Sequence, residues 1–440
     1  MSDPSNSARH DVPTQTTAAA SVAAGLSVAR SAHAAGSDVI KIALIGCGNR
    51  GTGACRESLL AAEPVRLVAV GDLFGDRVKA CLANLTKYDE LRPRIDVPQQ
   101  RQFLGFDAHR KVLDAGVDLV LLATPPHFRP EQYAAAVKAG KHVFMEKPLC
   151  VDAPGYRTLL AANDEARKKK LSVVVGLQRR HQGNYLEGIQ RIRNGEIGDV
   201  IFLRTYFNVL GGGRAGQTKP EGMSEMEYQI RYWAMFTWLG GDHIVEQSTH
   251  EIDVANWVMD GHPVRAQGMG GRQVRFGPGN GDFWDHHAVE FEYANGARLF
   301  AQARQQAATW VQVSDNVHGT KGSITLGSGP WGLGALTPRE LRRRRGKGEN
   351  PYQQEHVDLI ASIRSDGPYC CEGDYGATSS MTAVMGRMAT YSGQTVTWDE
   401  ATQSGLKLGP ERYALDADPP VLPDAQGAYP AAMPGVTKAW

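Results

Sequence analysis

Sulfur, net charge and long apolar runs are all scarce in this chain, and each shortage rules something out. Six cysteines are spread over 440 residues, at Cys47, Cys55, Cys81, Cys150, Cys370 and Cys371, with no CxxC pair among them. That spacing indicates neither a disulfide framework nor a structural zinc site. Reduced thiols are expected, as in a protein that folds in the cytoplasm, even one exported later. Lys and Arg number 48 and Asp and Glu 47, a net charge of +1, so no global field points to nucleic acid or an anionic membrane. One basic run, Arg342-Arg343-Arg344-Arg345 followed by Gly346-Lys347-Gly348, reads either as an exposed loop or as a contact for a ligand phosphate or a neighbouring subunit. The apolar run from Ala18 to Val28 is too short and too weak to span a bilayer as a helix, and no later segment does better.

What remains is an ordinary globular mix, 42% apolar and 22% charged, at a length that favours two domains. Residues 1–36 differ from the rest, being dominated by Ser, Ala and Thr and ending in Ala32-His33-Ala34, the small-residue form of a signal-peptidase site. The segment resembles a twin-arginine signal peptide, with Arg9-His10-Asp11-Val12 as the remnant of its motif. His10 stands where a second arginine is expected, and Pro13 where an apolar residue is usual. The expectation is export to the periplasm in the folded state; the alternative is a disordered leader on a cytoplasmic protein.

Residues 37–176 read as a nucleotide-binding α/β domain. The apolar run Val39 to Ile45 predicts a buried parallel strand, and Gly46-x-Gly48-x-x-Gly51 follows it at once. Gly46 permits the tight turn, Gly48 lets a pyrophosphate approach the backbone, and Gly51 allows a helix to pack close to the strand. Asn49 and Arg50 complete the turn, and the helix amides beyond it would face the pyrophosphate. Asp72 ends the next apolar run, where a carboxylate bonds the ribose hydroxyls of NAD and repels the extra phosphate of NADP. Alternating helix and strand patterns then bring Thr124-Pro125 and Glu146-Lys147-Pro148 to the same strand-end edge. Two readings of Lys147 stand at this point: a donor to a substrate hydroxyl, or a surface lysine held out by Pro148.

Residues 177–392 carry several runs with period-two alternation, expected as strands at Val200–Tyr206, Val264–Met269, His287–Tyr293, Ala297–Arg304, Thr309–Ser314 and Gly322–Leu326. The fold class is thus α/β, with a parallel nucleotide domain and a second domain on a mostly antiparallel open sheet. Residues 393–440 read as an extended tail. Asp242 to Val258 predicts one helix, on which His243, Glu246, His250 and Asp253 would project the same way. That face is read as a site, as a surface stitched by imidazole–carboxylate pairs, or as metal ligands. With HExxH absent and no further ligand cluster, no metal is expected.

Taken together, Glu146-Lys147-Pro148, Gly176, Gly195-x-Ile197-Gly198 and the histidine segment resemble the Gfo/Idh/MocA oxidoreductase family, from about Lys41 to Tyr391. The pattern is most similar to exported members of planctomycete type. The resemblance implies an NAD-dependent enzyme acting on a sugar, polyol or glycoside, assembled as a tetramer or dimer through its sheet. It assigns the acid/base role to His250 and the EKP lysine to Lys147. Glu246 stands where relatives often carry aspartate, and Arg129 where they often carry histidine. Arg129, Arg180, His243, Glu246 and Asp253 are accordingly expected at the substrate, and Gly46, Gly48, Asn49, Arg50, Gly51, Asp72, Thr124, Pro125, Glu146 and Lys147 at the cofactor. An NAD-assisted glycosidase and a non-catalytic nucleotide- and sugar-binding protein stand as the rival readings.

Overall fold

A computed structural model describes residues 39–211, 216–327 and 350–440. The leader with Ala32 and Ala34, and the basic run at 342–347, lie outside the described residues.

Six strands, β1 (Ile40–Ile45), β2 (Val65–Asp72), β3 (Gln102–Leu104), β4 (Leu119–Leu122), β5 (His142–Met145) and β6 (Val173–Val175), form a parallel sheet in the order β3-β2-β1-β4-β5-β6. The central strands are short apolar runs buried along their whole length, such as Leu-Val-Leu-Leu in β4 and Val-Val-Val in β6, because helices cover both faces. Between β1 and β4 the strand order reverses, which opens a crevice at the carboxyl ends of the strands. Helix α1 (Asn49–Ala61) leaves β1 through the glycine-rich turn. Gly46 has φ +98°, and a Cβ there would meet the Ala123 carbonyl carbon at 2.6 Å. A Cβ on Gly51 would lie 1.9 Å from the Gly46 carbonyl oxygen, so the helix seats on the strand only because both positions are glycine. Helices α2 (Gly75–Leu85), α3 (Ala108–Leu113), α4 (Arg129–Lys138) and α5 (Ala153–Lys168) complete this half.

The second sheet holds β7 (Val200–Val209), β8 (Pro263–Gly271), β9 (His286–Tyr293), β10 (Arg298–Gln305), β11 (Gln312–Gly319), β12 (Ser323–Gly327) and β13 (Val396–Thr397) in the order β12-β11-β7-β10-β9-β8-β13. Only β7 and β10 pair in parallel. Burial alternates along β9 and β10, so one face packs inward and the other is left open. Helices α6 (Gly183–Arg193), α7 (Glu225–Arg231), α8 (Thr237–Gly240), α9 (His243–Glu246), α10 (Thr249–Met259), α11 (Pro351–Arg364), α12 (Gly373–Ser392) and α13 (Trp398–Gln403) make up the rest. Among the described residues, no helix is long and apolar enough to cross a membrane.

Three expectations change. The helix predicted from Asp242 to Val258 is two, broken at Gln247 and Ser248. The strand expected at Thr309–Ser314 runs over Gln312–Gly319. The tail begins with structure: Val396–Thr397 extends the sheet beside β8, and Thr397 with Glu400 forms a reciprocal cap that starts α13.

Candidate active site

The crevice at the strand ends is lined by Gly46, Gly48, Asp72, Thr124 and Pro125, as expected, and also by Arg77, Phe106, Phe128, Ile230 and Trp233. Asp72 is pinned from both sides: its Oδ2 accepts the Cys47 N–H at 2.7 Å and its Oδ1 the Phe74 N–H at 2.9 Å. Each oxygen keeps a further lone pair for a ribose hydroxyl. Burial pushes this carboxyl up from its ordinary value. Gly48 caps α1 with no side-chain bond, and no acidic residue stands in the first turn. The orphan amides of that turn are therefore left for an anion, which is how a dinucleotide pyrophosphate is held. Asn49, the exposed first residue of α1, offers its backbone there.

Beside the crevice, β5 runs into Glu146 and Lys147. Lys147 Nζ lies 3.3 Å from Glu246 Oε1 and also donates to the Glu246 backbone carbonyl, so α9 ends directly on the lysine. His250 follows in the first turn of α10, half-buried, its Nδ1 without a hydrogen-bond partner among the described residues. Burial, together with the positive charges of Lys147, Arg179 and Arg50, holds its imidazole well below the ordinary histidine value. A neutral imidazole beside an ammonium group can take a proton from a hydroxyl whose oxygen the ammonium stabilises.

Two family models match this chain: the oxidoreductase family with an NAD-binding Rossmann fold over residues 40–177, and the GFO/IDH/MocA C-terminal domain over residues 185–325. The chain belongs to the GFO/IDH/MocA family. It is 24% identical to scyllo-inositol 2-dehydrogenase (NAD(+)) of Bacillus subtilis over 66% of this chain and 74% of that protein. Its fold is similar to that of scyllo-inositol dehydrogenase from Lactobacillus casei with bound NAD(H) and scyllo-inositol, with a TM-score of 0.59, 18% identity, and coverage of 82% of this chain and 99% of that one. The aldose-aldose oxidoreductase of Caulobacter crescentus, complexed with glycerol, has a TM-score of 0.61 at 18% identity, over 81% and 99% of the two chains.

Several residues expected at the ligands in this GFO/IDH/MocA chain are occupied elsewhere. Arg50 turns its guanidinium to Glu146, to Glu57 at 3.1 Å and to Glu355 at 3.6 Å, and lies over the Tyr352 ring. That engages the side chains of both Arg50 and Glu146, and neither residue lines the crevice. Arg129 is buried and donates to the Pro148 carbonyl, propping the turn that carries Lys147. Burial pushes Arg129 down to about 10, against the pull of Glu146 and Glu246. Arg180 and Asp253 satisfy each other through bonds of 2.9 and 2.8 Å, with Ser379 also donating to Asp253 and the Tyr375 ring lying 3.7 Å below Arg180. This bidentate pair fastens α10 and is not free for substrate.

His243 departs furthest from expectation. The break after α9 turns it into the interior, where its Nδ1 lies 2.9 Å from Asp242 Oδ1. Asp242 is the hub of a buried cluster that the sequence reading missed. Its carboxylate accepts from the His243 N–H and Nδ1, from the Trp284 N–H at 2.9 Å and from the Tyr391 hydroxyl, with His287 Nε2 at 3.3 Å. Burial opposes its charge, yet His287 and His243 hold the carboxyl well below the usual carboxylate range. Asp242, His243 and His287 are close enough to share a metal ion. Four donors already fill the carboxylate's lone pairs, which makes the cluster a fastening rather than a ligand set. Asp242→Ala should cost roughly 3–5 kcal/mol, since it orphans several buried groups at once. Urea unfolding of the variant checks this, and a loss under 1 kcal/mol would rule out the hub.

Proposed function

We propose that this chain is an NAD-dependent dehydrogenase of a secondary alcohol on a polyol or sugar. The observation that carries the reading is Lys147 held by Glu246 just past β5, the strand paired with β4 whose end lines the crevice, with His250 in the first turn of the helix that follows Glu246. Bound NAD would supply the hydride acceptor. Lys147 donates to the hydroxyl oxygen of the substrate and stabilises the charge that develops on it, and His250 takes the proton. Glu246 fixes the ammonium through two contacts, one from its backbone carbonyl and one from its carboxylate. The inositol dehydrogenases among the relatives favour a cyclic polyol as substrate class. NADH formation across a panel of inositols and free sugars tests this, and binding of NAD with no NADH from any of them would defeat it.

The preference for NAD over NADP rests on Asp72. Asp72→Asn should narrow the NAD-to-NADP ratio of kcat/KM by roughly 10- to 100-fold, because a like-charge clash with the 2′-phosphate disappears while Arg77 remains in the same wall. An unchanged ratio would assign discrimination elsewhere. Assembly through the open face of the second sheet and export to the periplasm belong to the same reading. The first rests on the exposed Met269 and Phe300 of that face, the second on the leader with its Ala32-His33-Ala34. Light scattering and mass spectrometry of the mature N-terminus test them.

A further inference from the structure

The nucleotide crevice is not closed by the parallel sheet alone. Its outer wall is Ile230 at the end of α7 and Trp233 just beyond, distant in sequence from the glycine-rich turn. The wall is fastened to the nucleotide side at two places. Arg231 pairs with Asp76 of α2 at 3.1 and 3.2 Å and lies 3.8 Å over the Phe74 ring. Arg77, itself lining the crevice, donates to the Arg231 carbonyl at 3.3 Å. The ion pair contributes little, since Asp76 is largely exposed. The stronger hold is apolar, one buried cluster in which Phe74 packs with Met226, Ile230, Phe236 and Trp238.

The tail after α13 then binds wall and sheet together. It contains neither helix nor strand, so what holds it is its contacts with the rest of the chain. The Leu408 N–H donates to Asp152 at 3.1 Å, and the Tyr413 hydroxyl lies 2.7 Å from His127 Nε2. His127 and Phe128 follow Thr124-Pro125-Pro126 at the crevice, and the Tyr413 ring packs on Phe106 and Phe128, both of which line it. Further along, Gln229 of α7 donates to the Val421 carbonyl at 2.7 Å, and Tyr429 donates to Glu225 and packs edge-on against Phe236. The tail therefore runs as a strap from the strand-end turn to the outer wall. There is no slack at its near end, since a Cβ on Gly409 would lie 2.3 Å from the His127 ring.

We propose that this strap and the wall it reaches retain the dinucleotide as a resident cofactor, with Tyr413 as the clasp of the strap and Arg231 as the clasp of the wall. The inference rests on the reading that the crevice binds NAD. A dinucleotide that leaves past Ile230 and Trp233 must displace a wall fastened at both ends, so exchange is slower than in a crevice open at its outer side, and multiple turnover with free NAD is limited by that exchange. The test is the full chain purified without added nucleotide, assayed by acid release for NAD content and then for exchange of bound NAD against isotopically labelled NAD. The wild type should carry close to one nucleotide per chain. Tyr413→Ala and Arg231→Ala should each shorten the exchange half-time at least about tenfold, the equivalent of one lost clasp. Tyr413→Phe, which removes only the hydroxyl at His127, should shorten it less and guards against a folding defect in the alanine variant. Wild-type exchange complete within mixing, or half-times unchanged in both Tyr413→Phe and Arg231→Ala, would overturn the strap and leave NAD binding standing. A chain that takes up no NAD at all would instead overturn the reading beneath it.

Discussion

Replacing His250 with alanine is expected to slow hydride transfer by roughly 10²–10⁴-fold while NAD binding stays at the parental level. The two halves of that expectation rest on separate residues. In the proposed site, binding belongs to the amides of the α1 turn and to Asp72, whose carboxylate is fixed by Cys47 and Phe74. In the proposed mechanism proton transfer belongs to His250, whose imidazole burial and the Lys147 charge hold below its ordinary value. Alanine removes the acceptor for the hydroxyl proton and leaves the ammonium that polarises the same oxygen, so the loss should fall on kcat and on the single-turnover rate. Rapid mixing of NAD-loaded protein with substrate, followed at the NADH absorbance, measures it. Near-parental turnover would remove His250 from the mechanism.

The nucleotide half was legible because its signals are local. An apolar run, three glycines at fixed offsets and an acid at the next strand end each impose one backbone geometry, and the structure places Gly46, Gly48, Asp72, Thr124 and Pro125 on one crevice. Lys147 and Glu246 also meet, though they lie 99 residues apart in sequence. The errors have two causes. Reading His243, Glu246, His250 and Asp253 as one helical face assumed an unbroken period, and the break at Gln247 and Ser248 resets the phase. His243 then falls into the Asp242 cluster. Asp242 holds φ +76°, a conformation that a side chain other than glycine adopts only under tertiary constraint, and nothing in the local sequence announces it. Arg180 and Arg129 looked available because sequence gives a charge without its partner. Asp253, Pro148 and Tyr375 supply those partners only once the chain has folded.

Lys147→Met should do more than lower the rate. As a donor to the oxygen on which charge develops, the ammonium is worth roughly 10²–10³ in kcat. Its charge also bears on His250, where burial is the first cause of the lowered proton affinity and Lys147 the next, ahead of Arg179 and Arg50. The sign follows from the chemistry. Alcohol oxidation needs His250 neutral, so on the acid side the rate falls as pH drops through the imidazole's folded value. With that value depressed, the acid limb of kcat/KM in the parent lies below the ordinary histidine range near 6.5. Removing the Lys147 charge raises the value, and Glu246, freed of its ammonium partner, pushes the same way. The limb of the methionine variant should therefore move up toward 6.5 without reaching it, because burial, Arg179 and Arg50 remain. Lys147→Arg keeps the charge and alters the donor geometry, so it should lose rate with the limb unmoved. A merely structural lysine would lower the activity of both variants and shift neither profile. A limb at the same pH in the parent and Lys147→Met would sever the coupling between the two residues on which the proposed proton transfer depends.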